Sequence, residues 1–178
     1  PSGSGKTTTL YSCLNYLVSQ ERMRSIVTVE DPVERRIDGV VQTEVNEANG
    51  VTYGAALRSI LRQDPDVILI GEIRDQETMD TALKAADTGH LVLSTIHTTD
   101  ATQTISRVLS FYPPHQHGEI RMLLSTALAC VTSMRLVPRA DGEGRVPACE
   151  VLINTAAVAD NIRATDKALN IPDLIAEG

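Results

Sequence analysis

The stretch that most constrains the fold is the opening sequence PSGSGKTT, residues 1–8. It matches the phosphate-binding pattern G-x-x-x-x-G-K-[ST], except that the first glycine would precede Pro1. Glycines in such a loop let backbone N–H groups turn towards an anion, and the helical run that follows would put that anion at a helix N-terminus. The alternative is a Gly/Ser turn ahead of an ordinary helix. The residues expected to bind a nucleotide are Ser2, Gly3, Ser4, Gly5, Lys6, Thr7 and Thr8.

Two side chains of this loop have chemistry of their own. Lys6 supplies a positive charge for the β- and γ-phosphates, and the Thr7 hydroxyl suits Mg²⁺. A phosphate-binding loop also needs a strand that leads into it. Because no residues precede Pro1 to form that strand, we expect the chain to start inside a domain of a longer protein.

Composition excludes several other classes of protein. The net charge of −7 argues against a large nucleic-acid footprint, and 3% aromatic residues with no Trp argue against a base-stacking platform. Cys13, Cys130 and Cys149 are odd in number and far apart in sequence, with no C-x-x-C pair, which argues against a disulfide framework or a tetracysteine zinc site; reduced cytosolic thiols are therefore expected. The longest apolar stretches are strand-sized, short of the ~20 residues of a membrane-spanning helix.

Strand and helix patterns alternate from the opening loop to about Leu109. This alternation predicts an α/β fold of the RecA-like P-loop type, with a mainly parallel sheet, helices on both faces and a helical C-terminal part. The predicted strands are residues 25–29, 40–45, 67–70 and 91–96, of which 40–45 is either an edge strand or one arm of a hairpin. The predicted helices are 7–22, 55–62, 76–86, one capped by Asp100 or Thr99, one that includes Ile120 to Val131, 156–163 and 171–176. A hairpin is predicted from 134–138 and 145–153.

Acidic residues follow two of the predicted strands. Residues 30–34, EDPVE, place three carboxylates at a strand end, which is costly unless a cation is near. The alternative there is a solvated acidic loop. Glu72 follows the apolar run 67–70, at the edge where open α/β sheets bind ligands. It is the best candidate for a Walker B carboxylate that holds Mg²⁺ through water or orients the attacking water; the alternative is a helix-capping Glu.

Histidines bracket the predicted strand 91–96. A lone histidine is more often structural than catalytic. His90 and His97 stand at opposite ends of one strand, and hydroxyl residues lie beside them. This arrangement favours a γ-phosphate sensor at His97 and, less directly, at His90. We predict that Lys6, the two acidic elements and His97 meet at one triphosphate.

Residues 61–75, LRQDPDVILIGEIRD, match the signature of the type II secretion and type IV pilus ATPases, the GspE, PilB and PilT superfamily. Residues 30–34 resemble the aspartate box of that superfamily, and residues 88–99 resemble its histidine box. The resemblance covers nearly the whole chain and keeps the motif order. The chain is therefore identified as a member of this superfamily.

The resemblance implies an activity and roles for particular residues. Residues 1–178 would be the C-terminal motor domain of a hexameric ATPase, cut at the phosphate-binding loop and before the last helices, that hydrolyses ATP with Mg²⁺ at a cleft completed by a neighbouring subunit. Glu34 matches the general base of the family, Glu72 its Walker B glutamate and His97 its nucleotide-sensing histidine. The supporting residues implied are Glu30, Asp31, Arg74, His90 and Arg107, with both arginines near the nucleotide or the subunit interface.

The tail indicates a branch of the superfamily. Residues 144–155 resemble the pilus-retraction members, and the tetracysteine zinc element usual in extension and secretion ATPases cannot be built here. Residues 155–163 align with the A-I-R-N-L-I-R-E box of the retraction members but depart from it at several positions, which leaves extension or secretion open. A RecA-type nucleic-acid motor is the alternative of a different class. The resemblance implies a homo-hexamer at the cytoplasmic face of the inner membrane, bound to a platform protein there, while the charge and the cysteine count argue against nucleic acid and zinc.

Overall fold

The structure, a computed structural model, describes residues 3–20, 25–164 and 170–177. Its contacts divide the chain into two compact units, residues 7–96 and residues 1–6 together with 97–178. Among the described residues, no helix has both the length and the apolar character needed to cross a membrane.

The unit of residues 7–96 is built on a four-stranded sheet. Its strands are β1 (Ile26–Glu30), β2 (Val41–Glu44), β3 (Val67–Ile70) and β4 (Leu91–Ser94), in the spatial order β2-β1-β3-β4. Every neighbouring pair is parallel, and Ile70 at the end of β3 pairs with Ser94 at the end of β4. Parallel pairing brings the carboxyl ends of all four strands to one edge of the sheet, which places there the residues that follow each strand.

Helices cover both faces of this sheet. Helix α1 (Lys6–Ser19) packs Tyr11 and Leu14 into a core with alternate residues of the strands, Ile26, Val67 and Leu69. Because side chains alternate along a strand, the intervening residues point to the opposite face. These intervening residues are also buried, and the buried sides of α2 (Tyr53–Ile60) and α3 (Gln76–Asp87) pack near β1 and β4. The buried intervening residues of the strands are Val27, Val29, Ile68 and Ile70.

Local sequence sets the ends of α2 and α3. Thr52 caps α2 by accepting a hydrogen bond from the Ala55 N–H at 3.2 Å. Asp75 caps α3 by accepting one from the Thr78 N–H at 2.8 Å, as its sequence position predicts. After α3, Gly89 adopts φ +99°, a left-handed conformation that turns the chain into β4.

The other unit contains four helices and a hairpin among its described residues. The helices are α4 (Ala101–Leu109), α5 (His117–Ala127), α6 (Ala156–Arg163) and α7 (Ile171–Glu177), and the hairpin is β5 (Cys130–Pro138) with β6 (Arg145–Ile153). Asp100 caps α4 through the Gln103 N–H at 2.7 Å. The core of this unit is apolar, formed by Ile105, Val108, Ile120, Leu124, Leu152, Val158, Ile162 and Ile171.

The predicted parallel α/β architecture is confirmed, but the predicted helix around Ile120 extends wrongly into a segment that forms a strand. Helix α5 ends at Ala127, whereas the apolar spacing predicted that it would continue to Val131. The Asn154 side chain donates to the carbonyl oxygens of Ser125 and Leu128, at 3.1 and 2.7 Å, and so binds the chain where the helix ends. Val131 then pairs with Leu152 inside the hairpin, because its β-branched side chain suits a strand.

Candidate active site

The opening loop has the backbone of a phosphate-binding turn. Gly3 and Gly5 adopt φ +69° and +95°, which side-chain-bearing residues rarely tolerate. At Gly5 a Cβ atom would lie 3.4 Å from the Met134 Cε, the end of a flexible side chain, so it is the positive φ that favours glycine. Helix α1 starts at Lys6, and a helix N-terminus attracts anions. Ser4 is buried and Thr8 is exposed, whereas Ser2 lies outside the described residues.

Within the unit of residues 7–96, the first turns of α1 lie at the carboxyl edge of the sheet. The Tyr11 hydroxyl donates a hydrogen bond of 2.5 Å to Oε2 of Glu30, the last residue of β1. Thr7 precedes Tyr11 by one helical turn and shares its face of α1. The Thr7 hydroxyl is therefore on the side of the helix that meets the acidic edge.

Glu30 is a buried carboxylate that accepts hydrogen bonds from several side chains. Only 4% of the residue is exposed, and besides Tyr11 it accepts hydrogen bonds from the Thr28 hydroxyl at 2.5 Å and from Gln42 Nε2 at 3.1 Å. Burial, followed by the hydrogen bond to Glu30, raises the pKa of the Tyr11 hydroxyl. The next two acidic residues of the predicted aspartate box, Asp31 and Glu34, are exposed.

Glu72 stands between two backbone attachments at the same edge. The Gly71 N–H donates to the Val29 carbonyl of β1 at 2.8 Å, and the Ile73 N–H donates to the Thr95 carbonyl just beyond β4 at 3.0 Å. The Glu72 side chain is 13% exposed and forms an ion pair with Arg74. This hydrogen-bonded pair raises the pKa of the Arg74 guanidinium. Since Asp75 caps α3, Glu72 does not have that structural role.

Tyr53 belongs to this edge, although nothing in the sequence pointed to it. Burial, followed by the negative charges of Glu72 and Asp31, raises the pKa of Tyr53 to about 12. Its hydroxyl oxygen lies 3.2 Å from the position that a Cβ atom would take at Gly71. A side chain at position 71 would therefore be crowded by the Tyr53 hydroxyl and by the β1 backbone, whose nearest atoms lie 3.4 Å from the same Cβ position.

The two histidines have different positions. His90 precedes β4, at the amino edge of the sheet, where its Nδ1 lies 2.9 Å from the Ala85 carbonyl oxygen and 3.2 Å from the Thr88 hydroxyl. These contacts tie His90 to the end of α3, a strand length away from the carboxyl edge. His97 is exposed and follows the end of β4 by three residues. It belongs to the other compact unit, whose longer segment begins with it.

Arg107 lies in the same unit as His97. Its guanidinium carbon sits 4.8 Å from the centre of the Phe111 ring, one turn further along the chain. This stacking holds an exposed cation on the surface of α4.

The residues of the carboxyl edge fit a magnesium–nucleotide complex. Mg²⁺ takes oxygen ligands and usually keeps several waters, so it needs only one or two protein ligands beside the phosphates. The Thr7 hydroxyl and the Glu72 carboxylate provide such oxygens. Separately, the positive φ values of Gly3 and Gly5 are those of a turn whose backbone N–H groups can face an anion.

Comparisons with known proteins show the family of the chain. Residues 1–170 match the type II/IV secretion system protein family. The type IV pilus retraction ATPase PilT of Pseudomonas aeruginosa is 45% identical over 167 residues, which are 92% of this chain and 48% of the relative. Type II secretion system protein E of Klebsiella pneumoniae is 51% identical over 139 residues, 78% of this chain and 26% of the relative.

Among solved structures, the pilus retraction motor PilT with bound ADP superimposes with a TM-score of 0.90 at 42% identity. The match covers 99% of this chain and 52% of that protein. The chain thus spans about half the length of the pilus relatives it matches.

Proposed function

The chain belongs to the type II/IV secretion system protein family, and from that premise we propose that it binds ATP with Mg²⁺ and hydrolyses it to drive a hexameric motor. The observation that carries this proposal is the carboxyl edge of the sheet. There the mostly buried Glu72 is flanked by backbone bonds to both neighbouring strands, and at the same edge the Tyr11 hydroxyl of α1 donates to Glu30. Phosphoryl transfer to water needs positioned charges rather than covalent chemistry, and this edge supplies them.

The roles follow from the surroundings of each residue. Lys6 and the loop amides bind the β- and γ-phosphates, and Thr7 with Glu72 holds the metal. Mg²⁺, when bound, neutralises charge on the phosphate oxygens. Glu72 keeps its carboxylate oriented through the ion pair with Arg74.

Glu34 is the proposed general base. It is exposed, and its carboxylate accepts no hydrogen bond from the residues that the structure describes, so its lone pairs are available for a proton from water. Glu30 is unsuited to that role because its oxygens are already bonded to three donors. We assign nucleotide sensing to His97 and interface contacts to Arg107, following the family.

Within the family we propose the pilus-retraction branch. The supporting observation is coverage: the similarity to PilT extends over 92% of the chain in sequence and 99% in structure. A secretion or extension ATPase is the second candidate, favoured by the 51% identity to the secretion protein over a shorter segment. In either branch residues 1–178 would serve as the motor domain of a homo-hexamer in the cytoplasm, acting on a platform protein of the inner membrane.

A Lys6→Ala substitution tests the activity. In the protein as the cell makes it, we expect ATP-dependent phosphate release to fall by roughly 100-fold or more, since a preorganised charge at the phosphates is lost. Lys84→Ala, on the exposed side of α3, is the matched control and should release phosphate at the normal rate. Normal release by a folded Lys6→Ala protein would overturn the assignment.

A further inference from the structure

The loop between β1 and β2 carries Glu34 and has no regular secondary structure. Side chains from outside the loop bind its backbone on either side of that residue. The Val33 N–H donates to Oε2 of Glu44 at 3.0 Å, and the Arg35 N–H donates to the Tyr11 hydroxyl oxygen at 3.3 Å. The loop is therefore anchored immediately before and immediately after Glu34.

Gln42 of β2 provides further attachment. Its Nε2 donates to the Arg35 carbonyl at 2.9 Å and to Oε1 of Glu30 at 3.1 Å, while its Oε1 accepts from the Ile37 N–H at 2.8 Å. Both Gln42 and Tyr11 thus connect the loop to the same buried carboxylate, Glu30. The bond from Tyr11 to Glu30 is the buried part of this cluster, and hydrogen bonds are stronger where water is excluded.

Tyr11 differs from Gln42 and Glu44 in where it comes from. Gln42 and Glu44 belong to β2, whereas Tyr11 belongs to α1, the helix that begins at Lys6, and stands one turn after Thr7. The Tyr11 side chain is buried, and the backbone N–H groups of Arg35 and Glu34 both act on its hydroxyl, lowering its pKa against the larger effects that raise it. One hydroxyl therefore joins the helix of the phosphate-binding loop to the loop that carries Glu34.

We propose that Tyr11 is a positioning residue for hydrolysis: by donating to Glu30 and accepting from the Arg35 N–H, its hydroxyl fixes the Glu34 loop against the helix that begins with the phosphate-binding residues. This inference rests on the proposed role of Glu34 as general base. A base must stay within hydrogen-bond reach of the water it activates, and a displacement of about 1 Å can cost on the order of 100-fold in rate.

The first test compares Tyr11→Phe with Tyr16→Phe in the protein as the cell makes it. Phenylalanine keeps the buried ring but leaves the Arg35 N–H without this acceptor and Glu30 without one donor. We expect kcat for ATP to fall about 10-fold or more with KM changed by less than about twofold, because the binding residues are untouched. Tyr16 is on the same helix, 64% exposed, and its variant should match the wild type.

The second test combines Tyr11→Phe with Glu34→Gln. If Tyr11 acts through Glu34, adding Tyr11→Phe to Glu34→Gln should cause no further loss of kcat, since the effects of residues that act as a unit are not additive. The same fold-loss in both backgrounds would show general structural damage and overturn the inference, as would an unchanged kcat in Tyr11→Phe alone. If the Phe variant does not fold, Tyr11→Met removes the hydroxyl while filling the space with a flexible chain.

The ATPase activity and the positioning of Glu34 by Tyr11 can be tested separately. If Glu34→Gln keeps the wild-type kcat while Lys6→Ala abolishes it, the ATPase assignment stands and both the base role of Glu34 and this inference are overturned. If Lys6→Ala itself retains normal turnover, the proposed function is overturned first.

Discussion

At the scale of single residues, two glutamates of the same EDPVE motif have opposite surroundings. Glu30 is buried and accepts from Tyr11, Thr28 and Gln42, whereas Glu34 is exposed. The sequence predicted an acidic cluster there but not this division, because Tyr11 and Gln42 lie 19 and 12 residues from Glu30 and their contacts arise only when the sheet forms. A buried carboxylate with all its donors orders the loop, and the exposed one remains available for chemistry.

Tyr53 shows the same limit of sequence reasoning. In sequence it is simply the first residue of a helix. The approach of its hydroxyl to Gly71 depends on how α2 packs against the sheet. No local pattern encodes that packing. The close approach of the Tyr53 hydroxyl to the glycine before Glu72 is therefore visible only in the structure.

The charge of Glu72 should be measurable through Tyr53. We predict that Tyr53 ionises at about pH 12 in the wild type and at a lower pH in Glu72→Gln, still above its ordinary value of 10.0 because burial is the larger cause. The measurement is phenolate absorbance, taken as the difference from the same protein carrying Tyr53→Phe. An identical pKa in both proteins would contradict the proximity of the two side chains.

This raised pKa also has a consequence for stability. A group whose folded-state pKa is raised contributes stability below its unfolded pKa and loses it as the pH rises through the folded value. The free energy of unfolding should therefore decrease between about pH 10 and about pH 12 because of Tyr53, and the Tyr53→Phe protein should lack this contribution.

At the scale of elements, prediction succeeded where one signal dominated. The continuous apolar run of β3 and the helix α6 match their predicted limits, because Asp-Pro-Asp before the strand and Thr155 before the helix mark clear starts. It failed at the end of α5, where the helical spacing of Leu128 and Val131 persists in a segment that forms a strand. Pairing with β6 and the Asn154 bonds outweigh that local periodicity, and both come from residues more than twenty positions away.

The cap of α3 can be tested at this scale. Asp75→Ala removes the side chain that accepts the Thr78 N–H and should lower the free energy of unfolding by about 1 kcal/mol. Asp87→Ala, at the last residue of the same helix, is the control and should be neutral or slightly stabilising, because a carboxylate there opposes the helix dipole. Urea unfolding followed by circular dichroism compares them, and equal losses for both variants would contradict the capping role.

At the scale of the whole molecule, connectivity alone determines much of the candidate site. Once the strands are parallel, the residues that follow β1 and β3 must share one edge, so Glu30 and Glu72 could be placed together from sequence. By contrast, no sequence pattern predicts the division into two compact units between residues 96 and 97. The sequence IHTTD at that point lacks the Gly- or Pro-rich composition of a linker.

The central claim is that Glu72 serves the hydrolysis of ATP. The most direct measurement is the fate of radiolabelled ATP bound to a Glu72→Gln protein, followed by rapid quench in the presence of Mg²⁺. We predict that the variant binds ATP as the wild type does. The bound ATP should remain uncleaved over many wild-type turnover times, because the carboxylate that holds the metal or orients the attacking water is lost. Formation of ADP at the wild-type rate would contradict the account.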